Sequence, residues 1–202
     1  FRGFAGYWEI PAGEKTAVNG EWVDAPGMEF FSELEAAFPS LPIIAEDLGV
    51  ITPDVRELRD TFNLPGMRIV QFCFGPGIGG NLDAPHNHVR RAVAYTGTHD
   101  NNTSRGWFVH ETSEEDRRRL FAYAGRVFGE REAAWELIRL TWASCAAVAL
   151  CPMQDLLSLD ESGRMNTPSK AKGNWEWRLS WEQVGGELKS RLRAMTELFG
   201  RC

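Results

Sequence analysis

A chain of 202 residues with 43% hydrophobic and 25% charged side chains has the composition of a core-forming globular protein, which excludes a disordered tail or a collagen-like rod. Its net charge of −6 is concentrated in the first 100 residues, which hold 14 acidic and 7 basic side chains, so nucleic acid is not an expected partner. The longest apolar stretch, Ala143 to Met153, is shorter than the roughly 18–20 residues of a membrane helix and is broken by Ser144 and Pro152, so no membrane is expected either.

The opening Phe1-Arg2-Gly3-Phe4 has neither an initiator Met nor a secretory pattern, and reads as a sequence entered in its middle. Leu41 to Ala45 is a short apolar run that predicts a strand ending in Glu46-Asp47, with Pro42 tolerable at its start. Thr52-Pro53 then places an N-cap and a first-turn proline ahead of a helix over Asp54–Phe62. Met67 to Phe74, β-branched and aromatic, predicts a second strand between Pro65-Gly66 and Gly75-Pro76-Gly77. A third, Ala92 to Thr96, runs into the polar stretch Thr98-His99-Asp100-Asn101-Asn102-Thr103.

Ser113 with Asp116 is a capping box, opening a helix whose apolar face would be Leu120, Phe121, Ala124, Val127 and Phe128. The basic run Arg117-Arg118-Arg119 follows Glu114-Glu115-Asp116 and reads as the solvated face of that helix. A helix over Arg131–Ser144 leads to a fourth strand, Ala146 to Leu150, that runs into Cys151-Pro152-Met153-Gln154-Asp155. Ser180 with Gln183 opens a last helix interrupted by Gly185-Gly186. Alternating strands and helices predict an α/β fold with a parallel sheet, whose chemistry sits at the C-terminal ends of strands. Four such units fit a small open sheet or half of an eight-stranded barrel.

Glu46 is a candidate proton donor, because burial at the end of an apolar strand would raise its pKa; the structural alternative is that Glu46 or Asp47 caps the turn toward Thr52. The loop from Thr98 to Thr103 gathers a carboxylate, an imidazole and amides that can grip vicinal sugar hydroxyls. Asp100 there could also steady positive charge at a reacting carbon. A turn leading into Trp107-Phe108-Val109 is the competing reading. His86-Asn87-His88 lacks a third metal ligand at useful spacing, and Gly75 to Gly80 lacks the Lys-Ser/Thr of a phosphate cradle. No cofactor or metal is therefore expected, and without G-x-S-x-G there is no serine hydrolase.

Of the eight tryptophans, Trp107, Trp135 and Trp142 read as core. Trp8, Trp22, Trp175, Trp177 and Trp181 lie in polar stretches where indole faces could stack on sugar rings. Cys73, Cys145, Cys151 and Cys202 form no C-x-x-C pair, and their apolar neighbours suggest reduced thiols of a cytoplasmic protein.

These residues resemble a known family. Phe1-Arg2-Gly3-Phe4, Tyr7-Trp8-Glu9-Ile10-Pro11-Ala12, Ile44-Ala45-Glu46-Asp47-Leu48-Gly49-Val50-Ile51-Thr52-Pro53, Leu64-Pro65-Gly66-Met67, Tyr95-Thr96-Gly97-Thr98-His99-Asp100-Asn101, and Arg164-Met165-Asn166 with Gly173-Asn174-Trp175-Glu176-Trp177-Arg178 are similar to the 4-α-glucanotransferases. These amylomaltases, or disproportionating enzymes, form glycoside hydrolase family 77. The resemblance implies the C-terminal half, about strands 5–8, of a (β/α)8 TIM barrel, with residues 1–202 one part of a catalytic domain. It implies a retaining transfer of part of an α-1,4-glucan to the 4-hydroxyl of glucose or a maltooligosaccharide.

By the same resemblance, Glu46 matches the general acid/base, Asp100 the carboxylate that grips the 2- and 3-hydroxyls, and His99 a substrate hydrogen-bonder. Asn166 lies in a stretch that lines the cleft. The nucleophilic aspartate belongs to a segment two positions ahead of Phe1, so residues 1–202 alone are expected to be inactive. Ser169 stands where the family usually has glycine. Two other readings stay open: a non-catalytic α-glucan-binding fragment, and an inverting hydrolase pairing Glu46 with Asp100.

Overall fold

A computed structural model describes residues 1–201; Cys202, one of the four cysteines, lies outside the described residues. The chain divides into two compact units, Phe1–Met67 and Arg68–Cys202. In the first, β1 (Gly6–Glu9) and β2 (Glu21–Asp24) form an antiparallel hairpin in which Trp8 pairs with Trp22. Their rings meet edge-on at 5.5 Å, and the Arg2 guanidinium lies 4.3 Å from the Trp22 ring centroid. α1 (Gly27–Ala37) follows, and α2 (Pro53–Thr61) starts at Pro53 as Thr52-Pro53 predicts. Phe31, Ala45, Leu58 and Leu64 bury together between these elements, at about 1.5–3 kcal/mol for each fully buried large side chain.

The strand expected over 41–45 does not form. Pro42 removes a donor, Ile43 N–H turns back to the Leu41 carbonyl (2.9 Å), and the segment's outward bond is from Ala45 N–H to the Pro65 carbonyl (2.8 Å). A ladder needs such bonds in series. Three of the four expected strands are therefore present.

Those three make one sheet in the order β3-β4-β5, from β3 (Gly66–Ile69), β4 (Ala92–Tyr95) and β5 (Val148–Leu150), with β5 parallel to β4. The strand expected to run to Phe74 stops at Ile69, where Val70–Phe72 winds into a 3-10 turn and buries Gln71. β5 is an edge strand with Val148 and Leu150 exposed, where the hydrophobic run alone predicted cover on both faces.

Five helices complete the second unit: α3 (Ser104–His110), α4 (Glu114–Ala124), α5 (Glu130–Ala143), α6 (Met153–Leu156) and α7 (Gly186–Leu198). The capping box of α4 is made as predicted: Asp116 N–H donates to Ser113 Oγ at 3.1 Å, and Ser113 N–H to Asp116 Oδ2 at 3.0 Å. Gly125, at φ 72°, ends that helix, so Val127 is off its apolar face and 78% exposed, while Phe128 still packs on Phe108 and Phe121.

α5 is the central helix, burying Trp135, Leu137, Ile138 and Trp142 on several sides. Its buried Glu136 is neutralised by Arg126 and Arg139. Gln183 Oε1 accepts from Ser180 N–H (3.0 Å), but this pair opens only a 3-10 turn, Trp181–Gln183, and α7 begins afresh at Gly186. Among the described residues no helix is long and apolar enough to cross a membrane.

Candidate active site

Because β4 and β5 are parallel, the loops that follow them leave the sheet on the same side. A single carboxylate ties those loops together. Asp155, on α6, accepts from Thr96 Oγ1 (2.6 Å), Ser104 N–H (2.7 Å) and Ser104 Oγ (2.7 Å). Burial pushes its pKa above the usual carboxylate range, against the pull of those hydrogen bonds from Thr96 and Ser104. Thr96 lies just before the polar loop and Ser104 just after it, so the loop's two ends close on one buried group.

The loop itself is a built structure. Asn101 Oδ1 accepts from Thr98 N–H and Thr98 Oγ1, each at 2.9 Å, and Asp100 N–H donates to Thr98 Oγ1 at 3.3 Å. Thr103 Oγ1 caps α3 by accepting from Gly106 N–H at 3.0 Å. Thr98, Asn101 and Thr103 thus make the turn that the competing reading expects, while His99 and Asp100 remain exposed.

Around them the structure brings three of the four candidate residues together. Asn166 Nδ2 donates to Asp100 Oδ1 at 2.6 Å, and Asn166 N–H to the His99 carbonyl at 3.1 Å. His99 Nε2 lies 3.4 Å from Asp100 Oδ1, and its ring lies 5.1 Å from that of Trp175. Trp175 is 53% exposed and holds φ at 64°, a conformation that costs a non-glycine residue about 1–3 kcal/mol. Beside this group lies a cleft of about 220 Å³ lined by Thr98, His99, Asn101, Gln154, Arg164 and Met165.

Glu46 belongs to the first unit and is described there. It follows the 41–45 segment and is exposed, which removes the burial on which its expected activation rested. The buried carboxylate is its neighbour. Asp47 accepts from Met67 N–H (2.7 Å) and pairs with Arg59. Gly66 lets Asp47 in: a Cβ there would stand 2.5 Å from Asp47 Oδ2. Asp47 thereby anchors the backbone that presents Glu46.

The other candidates are absorbed by packing. His86 contacts Tyr123 Oη through Nδ1 (3.0 Å) and the Gly79 carbonyl through Nε2 (3.2 Å), and the His88 ring meets the Asp83 carbonyl at 3.0 Å. Burial lowers the His88 pKa. Trp107, Trp135 and Trp142 are core residues as predicted, and Trp22 and Trp181 are exposed. Cys73, Cys145 and Cys151 are free thiols; burial carries Cys73 far above the ordinary thiol range, and Cys151 is pushed up to about 12. Sequence reasoning assigned no role to Arg164, Glu111 or Asp155, although Asp155 carried a signal as a carboxylate just past an apolar strand.

The family profile described as 4-alpha-glucanotransferase matches residues 1–183. The chain is 51% identical to a 4-alpha-glucanotransferase of Synechocystis sp. over 100% of its own length, and 48% identical to that of Thermus thermophilus over 98%. It spans about 40% of the length of each of these curated relatives. Its fold superposes with a TM-score of 0.93 on an amylomaltase from Streptococcus agalactiae in complex with acarbose, at 36% identity, covering 100% of this chain and 40% of that one. An amylomaltase from Corynebacterium glutamicum, 17% identical, shares the fold at a TM-score of 0.76, covering 96% of this chain and 34% of that one. With motifs, fold and profile in agreement over nearly its whole length, the chain belongs to the 4-alpha-glucanotransferase family, glycoside hydrolase family 77.

Proposed function

We propose that these residues supply two of the three carboxylates of a retaining 4-α-glucanotransferase, within the C-terminal half, about strands 5–8, of a TIM barrel. Glu46 protonates the departing glycosidic oxygen, and later takes the proton from the acceptor's 4-hydroxyl. Asp100 holds the 2- and 3-hydroxyls of the sugar at the point of cleavage and steadies the oxocarbenium-like transition state. His99 and Asn166 hydrogen-bond the same sugar. The nucleophile, by the family resemblance, lies ahead of Phe1; it forms the glycosyl ester that the acceptor then breaks. Donors are α-1,4-glucans and maltooligosaccharides, acceptors are glucose or maltooligosaccharides, and no cofactor takes part. The free thiols fit a cytoplasmic protein.

The observation that carries this reading is the convergence of Asp100, His99 and Asn166 beside a cleft at the C-terminal end of β4. The exposure of Glu46 leaves its carboxyl open to a substrate. The test is maltotriose disproportionation by the protein at the full length of its relatives. Glucose together with longer maltooligosaccharides, newly formed with α configuration, is the expected result; glucose without any product longer than maltotriose would mean a hydrolase. Residues 1–202 by themselves should show no turnover.

A further inference from the structure

Arg164 makes three directed hydrogen bonds at the foot of this site. Its Nη2 donates to the Asp100 carbonyl (2.7 Å), its Nε to the Asn166 carbonyl (2.9 Å), and its Nη1 to Glu111 Oε1 (3.1 Å). Asp100 and Asn166 are 66 residues apart in sequence, yet their side chains meet at 2.6 Å. A planar guanidinium between their two carbonyls sets the spacing of the two backbones, and with it the meeting of the two side chains. Glu111, just past the end of α3, holds the third arm of Arg164 and also accepts from Asn102 Nδ2 at 3.0 Å. The Arg164 side chain is 22% exposed, while its partner Glu111 is 40% exposed, so the network is fixed by the directions of its hydrogen bonds more than by burial.

We propose that Arg164, braced by Glu111, is a positioning residue for the transfer reaction: it fixes Asp100 and Asn166 at the separation their carboxylate and amide need to grip one sugar. This inference rests on the transfer reading above. A carboxylate that stabilises developing positive charge acts more strongly on the transition state than on bound substrate. A small displacement of Asp100 should therefore reduce kcat more than it raises KM. A salt bridge that merely holds the loop in place would lower thermal stability without that split.

The experiment measures kcat and KM for maltotriose disproportionation, with thermal unfolding, for the full-length protein and its Arg164→Met, Arg164→Lys and Glu111→Gln variants. Arg164→Met should lower kcat on the order of 10–100-fold, with KM moving less than about 3-fold. Lys offers a point charge in place of the fork and should recover only part of the loss. Glu111→Gln keeps one acceptor oxygen and should show the same split in milder form, which covers the case in which Arg164→Met fails to fold. Unchanged kcat in an active protein, or losses that follow only the unfolded fraction at the assay temperature, would overturn the positioning role alone. An inactive full-length wild type would overturn the transfer reading and this inference with it.

Discussion

The side-chain amide of Asn166 donates to Asp100 Oδ1 at 2.6 Å. Asn166→Asp replaces that donor with a second carboxylate at the same distance. Two such groups cannot both ionise freely, so one apparent pKa of the pair rises strongly. In the role proposed for it, Asp100 steadies a cationic transition state and does so as the carboxylate. The acid limb of kcat/KM should therefore move to higher pH, with activity lost below the new limb and partly retained above it. A pH–rate profile checks this, and an unmoved acid limb would mean that the two side chains do not act together.

Asp155 gives a prediction about stability. Burial raises its folded pKa above the unfolded value of about 4. The folded state thus holds the proton more tightly, and the residue's contribution is most favourable below the unfolded pKa. It declines as pH rises from there toward the folded pKa. Asp155→Asn has no such titration, so the stability difference between wild type and this variant should shift against the wild type across that window. Urea unfolding at a series of pH values reads the slope. Asp155→Ala leaves three donors without their acceptor and should cost at least about 1–3 kcal/mol, with the larger loss at low pH.

Ser169 occupies φ 67°, which accounts for the glycine usual in this family. The left-handed conformation costs a side-chain-bearing residue about 1–2 kcal/mol. Ser169→Gly should stabilise the protein by up to about 1 kcal/mol once the greater unfolded-state entropy of glycine is subtracted. A rise in thermal midpoint checks it. A fall would show that the serine hydroxyl contributes more than the backbone loses.

Gly66→Ala tests the anchoring of Glu46. The new Cβ would stand 2.5 and 2.7 Å from the two Asp47 oxygens, which Met67 N–H and Arg59 hold in place. Overpacking of this kind costs about 1–3 kcal/mol. Activity in the full-length protein should fall beyond the loss in folded fraction, because the displaced neighbour is Glu46.

What could be read in advance depended on the range of the signal. The Ser113–Asp116 box is an exchange within one helical turn and Pro53 presets the first turn of α2, although the Thr52 side chain makes no cap hydrogen bond there; both helices lie where those residues predict. His99 and Asp100 were visible because a dense polar loop behind an apolar strand contrasts with its neighbours. The β1–β2 hairpin was not visible, since Glu9 and Glu21 are joined by a long loop with no two-residue turn. α1 was missed for want of a start signal: Pro26 makes no side-chain cap, and only Gly27 and Phe31 of that helix are buried.

The 41–45 segment misled in the opposite way, being apolar enough for a strand yet turned on itself at Ile43. At the site, the polar residues were legible and their supports were not. Arg164 reaches Asp100 across 64 positions, and no local pattern encodes such a bond.

The closure of the 97–103 loop on Asp155 has a practical consequence for engineering. Because Thr96 and Ser104 both bond to one buried carboxylate, the footing of the loop is set by residues outside it. Of its two exposed residues, Asp100 is held by Asn166 and Arg164, which leaves His99 as the position open to exchange. Libraries that vary His99 while keeping Asp100, Thr96, Ser104 and Asp155 would alter the surface the loop presents without changing where the loop is mounted.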